Sequence, residues 1–283
     1  MQKNRKTLQE LTIKDNFMFG AVMLEEENCR QLLELVLGFP IEKVEVDREK
    51  SMVYNPDYKG IRLDILAKDE ARTRYNVEMQ AVKYKALGKR SRYYQSQMDM
   101  ELLLSGEEYA SLPNTYVIFI CDFDPFGEKK YRYTFETRCL ESETVKIHDG
   151  RTGIFLSTCG QNEHEVPAGL VKFLQYVKAD LEESSRDYED DFVRGLQQTV
   201  QKVKKNREMG VRYMAWHEML KEERNDGRIE GRIESVLELL EDLGEIPKEL
   251  REKIEEQEDI DIIKAWHKLA AKSESIEQFI EQM

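Results

Sequence analysis

The sequence predicts a mixed α/β (α+β) domain built around one sheet, followed by an all-helical C-terminal region. Strand-like and helical runs are mixed along the chain up to about residue 160. The run TYVIFICDF at 115–123 is continuous, β-branched and aromatic, which is typical of a central strand. After Pro167 the strand signals end and helical periodicity takes over. We therefore expect two regions, 1–160 and 161–283.

Composition excludes several classes of protein. The chain has 283 residues, of which 40% are hydrophobic and 35% charged, and its net charge is -13. It has no run of eighteen apolar residues and no apolar segment after its basic N-terminus, so we expect a cytoplasmic protein without a membrane span or secretory signal. The four cysteines lack the CxxC spacing and are expected to be reduced thiols: Cys29, Cys121, Cys139 and Cys159.

Hydrophobic spacing and turn residues predict the elements of the first region. A helix is expected over 15–37, closed by Gly38 and Pro40. The next expected elements are a strand over 43–54, a turn in YNPDYKG, two strands over 61–68 and 73–82 that form a hairpin, and a helix over 87–104. Three further strands are expected over 115–123, 130–138 and 153–158.

The C-terminal region is predicted to be helical over 167–183, 187–222 and 228–243, with a break at Gly244 and a restart at Pro247. One helix carries an apolar stripe that could seal against a partner helix: Ile229, Ile233, Val236, Leu237 and Leu240. The stripe is compatible with self-association and with packing against the first region. Residues 236–283 carry a net charge of -8, which argues against nucleic-acid binding by this part.

Each strand of the expected hairpin carries one acid, Asp64 in IRLDILA and Glu78 in YNVEMQ. Two carboxylates on adjacent strands repel each other and are costly to desolvate. A divalent cation resolves this conflict, and Mg²⁺ prefers one or two carboxylates together with water and phosphate oxygens. Such a cation can polarise a phosphodiester and activate a water molecule. The alternative is that both acids simply face solvent.

Residues after Glu78 extend this candidate site. Gln80 leaves the same face of the strand and could orient the attacking water, and the main-chain carbonyl of Met79 could be a further metal ligand if the strand edge is open. Residues 81–97 contain five Lys or Arg and no acid. The candidates for nucleic-acid binding in this run are Lys83, Lys85, Lys89, Arg90, Arg92 and Tyr94. The alternative is a solvated helix face with core tyrosines.

Several segments together resemble the PD-(D/E)XK nuclease superfamily, and within it the recombination-promoting nuclease and transposase-type family. These segments are KDNFMFGAVM, RLDILAKDE, YNVEMQ and KRSRYYQSQMDMELLLSGEEYASLPNTYVIFICDFDPF, over roughly residues 14–140. The resemblance implies a restriction-endonuclease-like mixed sheet flanked by helices. It places Asp64 as the first metal-binding acid, Glu78 at the (D/E) position and Gln80 where the superfamily has lysine. We interpret Pro56–Asp57 as part of a turn and not as the motif.

The activity that this resemblance implies is Mg²⁺-dependent DNA endonuclease activity of low sequence specificity, with Mn²⁺ as the other candidate metal. The implied partner is DNA. A second copy of the chain, bound through the C-terminal helices, is a further expected partner that is suggested by the apolar stripe and not by the resemblance. Glutamine in place of lysine leaves open whether the site is active, because a neutral amide can form hydrogen bonds but cannot supply the positive charge of lysine. The alternatives are a non-catalytic oligomeric scaffold or nucleic-acid-binding protein that retains the fold, and an RNA-cutting nuclease.

Overall fold

The computed structural model describes residues 6–52 and 61–283; the predicted turn at 54–60, with Pro56–Asp57, lies outside the described residues. The chain divides into two compact units, Met1–Gly210 and Val211–Met283. The expected boundary near residue 160 falls inside the first unit, because the next two helices pack with the N-terminal helices.

Helices and strands of the first unit follow the expected order. Its helices are α1 (Asn16–Met23), α2 (Glu26–Leu37), α3 (Leu87–Leu102), α4 (Ala168–Lys178) and α5 (Asp191–Lys205). Its strands are β1 (Val44–Met52), β2 (Ile61–Asp69), β3 (Arg74–Gln80), β4 (Thr115–Cys121), β5 (Arg132–Glu136) and β6 (Arg151–Ser157). Within the described residues these six strands form one sheet in the order β1-β2-β3-β4-β6-β5.

The sheet is mixed, and the predicted hairpin is present as β2 and β3. The pairs β1–β2, β2–β3 and β5–β6 are antiparallel, whereas β3–β4 and β4–β6 are parallel. Strand β4 lies inside the sheet with a strand on either side, and nearly all of its side chains are buried. The continuous apolar run at 115–123 therefore identified a central strand correctly.

The two faces of the sheet are covered by different helices. Val46 pairs with Ala67, and α1 and α2 cover this face of β1 and β2. Helices α4 and α5 pack against α1 and α2. The opposite face packs on α3 in a cluster that includes Leu66, Met98, Val117, Phe119 and Phe155. Leu66 pairs with Asn76, and Asp64 and Glu78 each lie two residues from this pair along their strands. Strand alternation therefore places both acids on the α3 side.

Two of the expected helices are each interrupted by a break. The helix expected over 15–37 is two helices, because Glu25 has an extended backbone and the Asn28 side chain donates to the Val22 carbonyl at 3.0 Å. The helix expected over 187–222 breaks at Asn206, whose side chain accepts from the Glu208 amide at 2.8 Å and starts a new helix. Gly38 ends α2 in the left-handed conformation, as expected.

The second unit is helical. Helix α6 (Arg207–Glu241) runs through the predicted break at 223–227 and is followed by α7 (Lys248–Glu255), α8 (Ile260–Ala270) and α9 (Ile276–Gln282). The apolar stripe of α6 packs within this unit against α7, α8 and α9, in a core that includes Leu240, Ile254, Ile263, Trp266 and Phe279. In the part of the chain that the structure describes, every helix is too short or too polar to cross a bilayer.

Candidate active site

Two carboxylates meet where the pairing of β2 with β3 ends. The antiparallel register runs as far as Ile65 and Val77. One residue further, the Asp64 amide donates to Glu78 Oε1 at 3.1 Å. The Met79 amide donates in turn to Asp64 Oδ2 at 3.0 Å. Each carboxylate therefore accepts a hydrogen bond from the main chain of the other strand, and this exchange holds the two acids side by side.

Glu78 is buried, with 1% of its surface exposed. Burial, the largest cause, and the negative charge of Asp64 together raise the pKa of Glu78 to about 8. The Arg90 guanidinium favours the ionised form but only partly offsets these two effects. The pair therefore forms a buried position where added positive charge is favourable.

The main chain at Met79 lies beside the same pair. In an extended strand, the N–H and C=O groups of one residue point toward the same neighbouring strand. Because the Met79 amide points to Asp64, its carbonyl oxygen also faces the β2 side of β3. This carbonyl is the main-chain oxygen that the sequence predicted as a further ligand.

Arg90 connects the acid pair to α3. Its Nη2 atom donates to Glu78 Oε2 at 2.9 Å and its Nη1 atom to Gln80 Oε1 at 2.8 Å. Its Nε atom donates to the Tyr94 hydroxyl at 2.6 Å, and the guanidinium lies 5.6 Å from the centroid of the Phe119 ring. One planar group thus has a fixed position between two strands and a helix.

Gln80 is the last residue of β3, and both ends of its amide group are engaged. Its oxygen accepts from Arg90, while its Nε2 atom donates to the Val82 carbonyl at 2.5 Å. Its main-chain carbonyl accepts from the Asp122 amide at 3.1 Å, which continues the pairing of β3 with β4. The Gln80 side chain is therefore oriented by its neighbours.

A sequence model of the PD-(D/E)XK nuclease family transposases matches residues 14–213. The match includes both acids and all six strands of the sheet. The chain belongs to this family. The resemblance and the fold class expected from the sequence are confirmed, since a mixed six-stranded sheet flanked by helices has the expected architecture. Searches of the curated proteins and of the solved structures each found no match.

PD-(D/E)XK nucleases generally use divalent metal ions, and the donor atoms here are of the right kind. Mg²⁺ prefers one or two carboxylates plus water and phosphate oxygens, and Asp64 with Glu78 supplies two such carboxylates. Among residues 6–52 and 61–283, His, Cys, Asp and Glu side chains form no group of three or more that could hold a metal ion. A cation at this family site would therefore depend on two carboxylates, the Met79 carbonyl and solvent.

The basic residues after β3 separate into two groups. Four of them are exposed on the connection to α3 and on its first turns: Lys83, Lys85, Lys89 and Arg92. Arg90, which the sequence grouped with them, instead points into the acid pair. The helical period explains the difference, because α3 packs the Arg90 side of its first turns on the sheet and exposes Lys89 and Arg92.

Tyr94 requires a correction as a nucleic-acid contact. Its ring is buried in the core between α3 and the sheet, where it stacks on Phe119 at a centroid distance of 6.2 Å. Burial raises the pKa of its hydroxyl to about 12, and this hydroxyl accepts from Arg90. Tyr94 therefore positions Arg90 from within the core, and its ring has no exposed face on which a base could stack.

Asn76 belongs to the same row of β3 and was missed by the sequence reasoning. Its side chain is fully buried, and neither its oxygen nor its nitrogen has a hydrogen-bond partner of good geometry among the described residues. A signal was present in YNVEMQ, where the polar residues Asn76, Glu78 and Gln80 alternate with apolar ones. The polar face of β3 thus extends one position deeper than the acid pair.

A second ionic cluster lies at the end of β4. Lys14 donates to Asp122 Oδ2 at 3.1 Å and to the Lys178 carbonyl at 3.0 Å, while the Thr158 hydroxyl donates to Asp122 Oδ1 at 3.1 Å. Strand alternation places Asp122 on the face opposite Phe119. The cluster therefore ties α1 and α4 to the sheet and does not join the acid pair.

Proposed function

We propose that this chain is a metal-dependent nuclease that hydrolyses phosphodiester bonds in DNA with little sequence specificity. The observation that carries the proposal is the reciprocal pairing of Asp64 and Glu78 across the end of the hairpin. Family membership supports a nuclease-type function, and the pair lies inside the matched residues. The proposed metal is Mg²⁺, with Mn²⁺ as the other candidate.

The residues proposed to hold the metal ion are Asp64 and Glu78, with the main-chain carbonyl of Met79. When bound, the cation would polarise the phosphodiester and lower the pKa of a bound water molecule. The chain itself holds the carboxylates in place through the Asp64 and Met79 amides. Because those donors are main-chain groups of a sheet, the carboxylates need little reorganisation before the reaction.

Gln80 and Arg90 are proposed to act together where the superfamily has lysine. Gln80 orients the attacking water with its amide group, which cannot supply a charge. Arg90 bonds to the Gln80 oxygen and brings a permanent positive charge to the same place. This charge stabilises the negative charge that develops on the phosphate during hydrolysis.

Lys83, Lys85, Lys89 and Arg92 are proposed to bind the phosphate backbone next to the acid pair. All four are exposed and follow Gln80 directly in the chain. Contacts to phosphate fix the register of a nucleic acid but carry no sequence information directly, which is the reason for proposing low specificity. Affinity is therefore expected to fall as salt concentration rises.

The test is cleavage of supercoiled plasmid by the full chain with Mg²⁺, Mn²⁺ or EDTA. The variants are Asp64→Asn and Glu78→Gln. The control is Asp47→Asn, since Asp47 is an exposed acid of β1 that pairs with Leu66 on the same face. We expect nicking that needs metal, is lowered by about 100-fold or more in both site variants and is unchanged in the control. Cutting by Asp64→Asn at the wild-type rate would refute the proposal.

A non-catalytic scaffold or nucleic-acid-binding protein is the second candidate function. The pairing of Arg90 with Glu78 at 2.9 Å favours it, because a guanidinium already occupies one oxygen of the buried carboxyl group that a metal ion would need. It predicts nucleic-acid binding without cutting of DNA or RNA and without heat of Mg²⁺ binding in calorimetry. Metal-dependent cutting of RNA but not of DNA would instead support a third candidate function, an RNA-cutting nuclease.

Homo-oligomerisation through the C-terminal helices is also proposed. The stripe around Val236 and Leu240 has partners within its own unit, but Val211 and Met214 expose more than half of their surface on α6. Sedimentation velocity tests this with Val211→Glu combined with Met214→Glu, and with Ile262→Glu as the control. We expect a dimer that the double substitution dissociates; a monomeric wild type would contradict it.

A further inference from the structure

A depression opens beside the acid pair, on the same face of the sheet. It has a volume of about 290 Å³ and lies between the first half of α3 and the strands β5 and β6. Gly88 on α3 and Gly153 on β6 line it, and neither has a side chain to fill the space. Phe126, Phe135 and Phe155 form most of its apolar wall. The depression is therefore an aromatic pocket with an open interior.

The aromatic rings of this pocket are partly open to solvent and are held in place. Phe126 is 42% exposed and Phe135 is 48% exposed, and their ring centroids are 5.0 Å apart. Phe126 also contacts the buried Phe155 edge-to-face at 5.2 Å. The loop that carries Phe126 is fastened by Asp124, which accepts hydrogen bonds from the Phe126 amide at 3.1 Å and from the Tyr133 hydroxyl at 2.8 Å. These contacts preorganise an exposed aromatic surface.

The rim of the pocket is polar and mostly basic. Arg92 and Arg151 line it, and both are exposed. Ser91 and Gln95 supply further polar groups on the α3 side, and Glu136 is the acid among the lining residues. Aromatic faces flanked by arginine match a nucleotide, because bases stack on aromatic rings while phosphates bind arginine.

The pocket and the acid pair lie on the same face of the sheet, two strands apart. Glu78, Phe119 and Phe155 are register partners on β3, β4 and β6. Two strand spacings separate Glu78 from Phe155, a distance of roughly 10 Å. The Phe119 and Phe155 rings stack nearly parallel at 5.4 Å and form a continuous floor between the two places. Arg92, two residues after Arg90 on α3, lines the pocket.

We propose that this pocket takes one unstacked base of the strand whose phosphate lies at the acid pair. The proposal rests on the proposed nuclease function for the position of that phosphate. It names the substrate more closely than the acid pair does: a strand with at least one base free to leave the helical stack. Bases in a single strand or at a distorted site meet this requirement at lower cost than paired bases.

The test measures binding in EDTA, so that no strand is cut. The probes are a fluorescent DNA strand of about twelve nucleotides, the same backbone with abasic units, and an RNA strand of equal sequence. The variants are Phe126→Ala and Gly88→Leu. A Cβ atom at Gly88, which lines the pocket, would meet no heavy atom within 4 Å, so leucine there adds side-chain volume at the pocket wall without a clash at its Cβ. The control is Phe39→Ala, an equally exposed phenylalanine outside the pocket lining.

We expect the wild type to bind the base-bearing strand about tenfold more tightly than the abasic one. Both pocket variants should lose most of this preference, while Phe39→Ala should keep it. A preference with either DNA or RNA supports the pocket, since both sugars carry the same bases. Equal affinity for the two strands in the wild type, or no binding of either, would overturn the proposal. A preference that survives in both Phe126→Ala and Gly88→Leu would overturn it as well.

Failure of the pocket and failure of the nuclease proposal give different results. Plasmid cutting that depends on Asp64, combined with equal binding of base-bearing and abasic strands, would refute only the pocket. A base preference that needs Phe126, combined with no cutting by the wild type, would refute only the nuclease. Thermal unfolding of each variant checks that the fold is retained before binding is compared.

Discussion

Arg90 and Glu78 form an ion pair of 2.9 Å in which the carboxylate is 1% exposed and the guanidinium is about one-third exposed. The other oxygen of the same carboxylate accepts the Asp64 amide. Glu78 therefore has one oxygen toward α3 and one toward β2. The ion pair makes Arg90 part of the acid site, and it determines how the site should respond to substitution, pH and metal.

Arg90→Met should destabilise the metal-free protein by about 2 kcal/mol, because it leaves a buried carboxyl beside Asp64 without its cation. Mg²⁺ should restore more stability to this variant than it adds to the wild type. Urea unfolding with EDTA and with Mg²⁺ measures both effects, and Arg92→Met is the exposed control on the same helix. Identical unfolding of Arg90→Met and wild type in EDTA would show that the ion pair does not contribute.

Stability of the metal-free protein should fall as pH rises from about 5 to 8. The pKa of Glu78 is raised to about 8 in the folded chain, above its ordinary value of 4.5. In this window the unfolded chain releases the proton that the folded chain still holds, so unfolding becomes more favourable with rising pH. Glu78→Gln removes this dependence. Thermal unfolding of both proteins in EDTA across the window checks the sign, and parallel curves would contradict it.

Two of the four thiols should be inert in the native protein. Cys29 and Cys121 are buried, and burial raises the pKa of each to about 12, whereas Cys139 and Cys159 are partly exposed. Because the thiolate is the reactive form, iodoacetamide at pH 8 should label Cys139 and Cys159 first. Mass spectrometry with and without urea locates the labels. Labelling of Cys29 as fast as Cys139 would show that its surroundings open readily.

The core of the second unit should depend on Ile254. Ile254 is fully buried in the cluster with Leu240 and Trp266, while Ile262 on the next helix is 39% exposed. We expect Ile254→Ala to destabilise this unit by about 2–5 kcal/mol and Ile262→Ala by less than about 0.5 kcal/mol. Urea unfolding followed by tryptophan fluorescence compares the two. Equal effects would show that the cluster around Trp266 is not the folded core of this unit.

Alternating polarity along the chain was enough to predict the hairpin and the presence of one acid on each of its strands, Asp64 and Glu78. The strand period of two is a local property, and turn residues mark where each strand ends. The central strand and the C-cap at Gly38 were likewise predictable from local composition. Family membership then follows from the segments around these elements, and the match over residues 14–213 confirms it.

Helix boundaries were less predictable, because they depend on single side-chain contacts. Asn28 closes the end of α1, and Asn206 starts α6, although neither contact is visible in hydrophobic spacing. The break expected at 223–227, between two predicted helices, instead lies inside α6. The grouping of α4 and α5 with the first unit also depends on distant contacts with α1 and α2.

The sequence by itself determined the order of the elements, the central position of β4 and the placement of one acid on each strand of the hairpin, since all three follow from local periodicity and composition. Only the tertiary structure decided which basic residue joins them. Arg90 and Arg92 are both arginines and are two residues apart on one helix. The packing of α3 on Phe119 directs Arg90 toward Glu78 and leaves Arg92 exposed. The same packing buries Tyr94 and opens the aromatic pocket beside Gly88, because a helix has one face for the sheet and one for solvent.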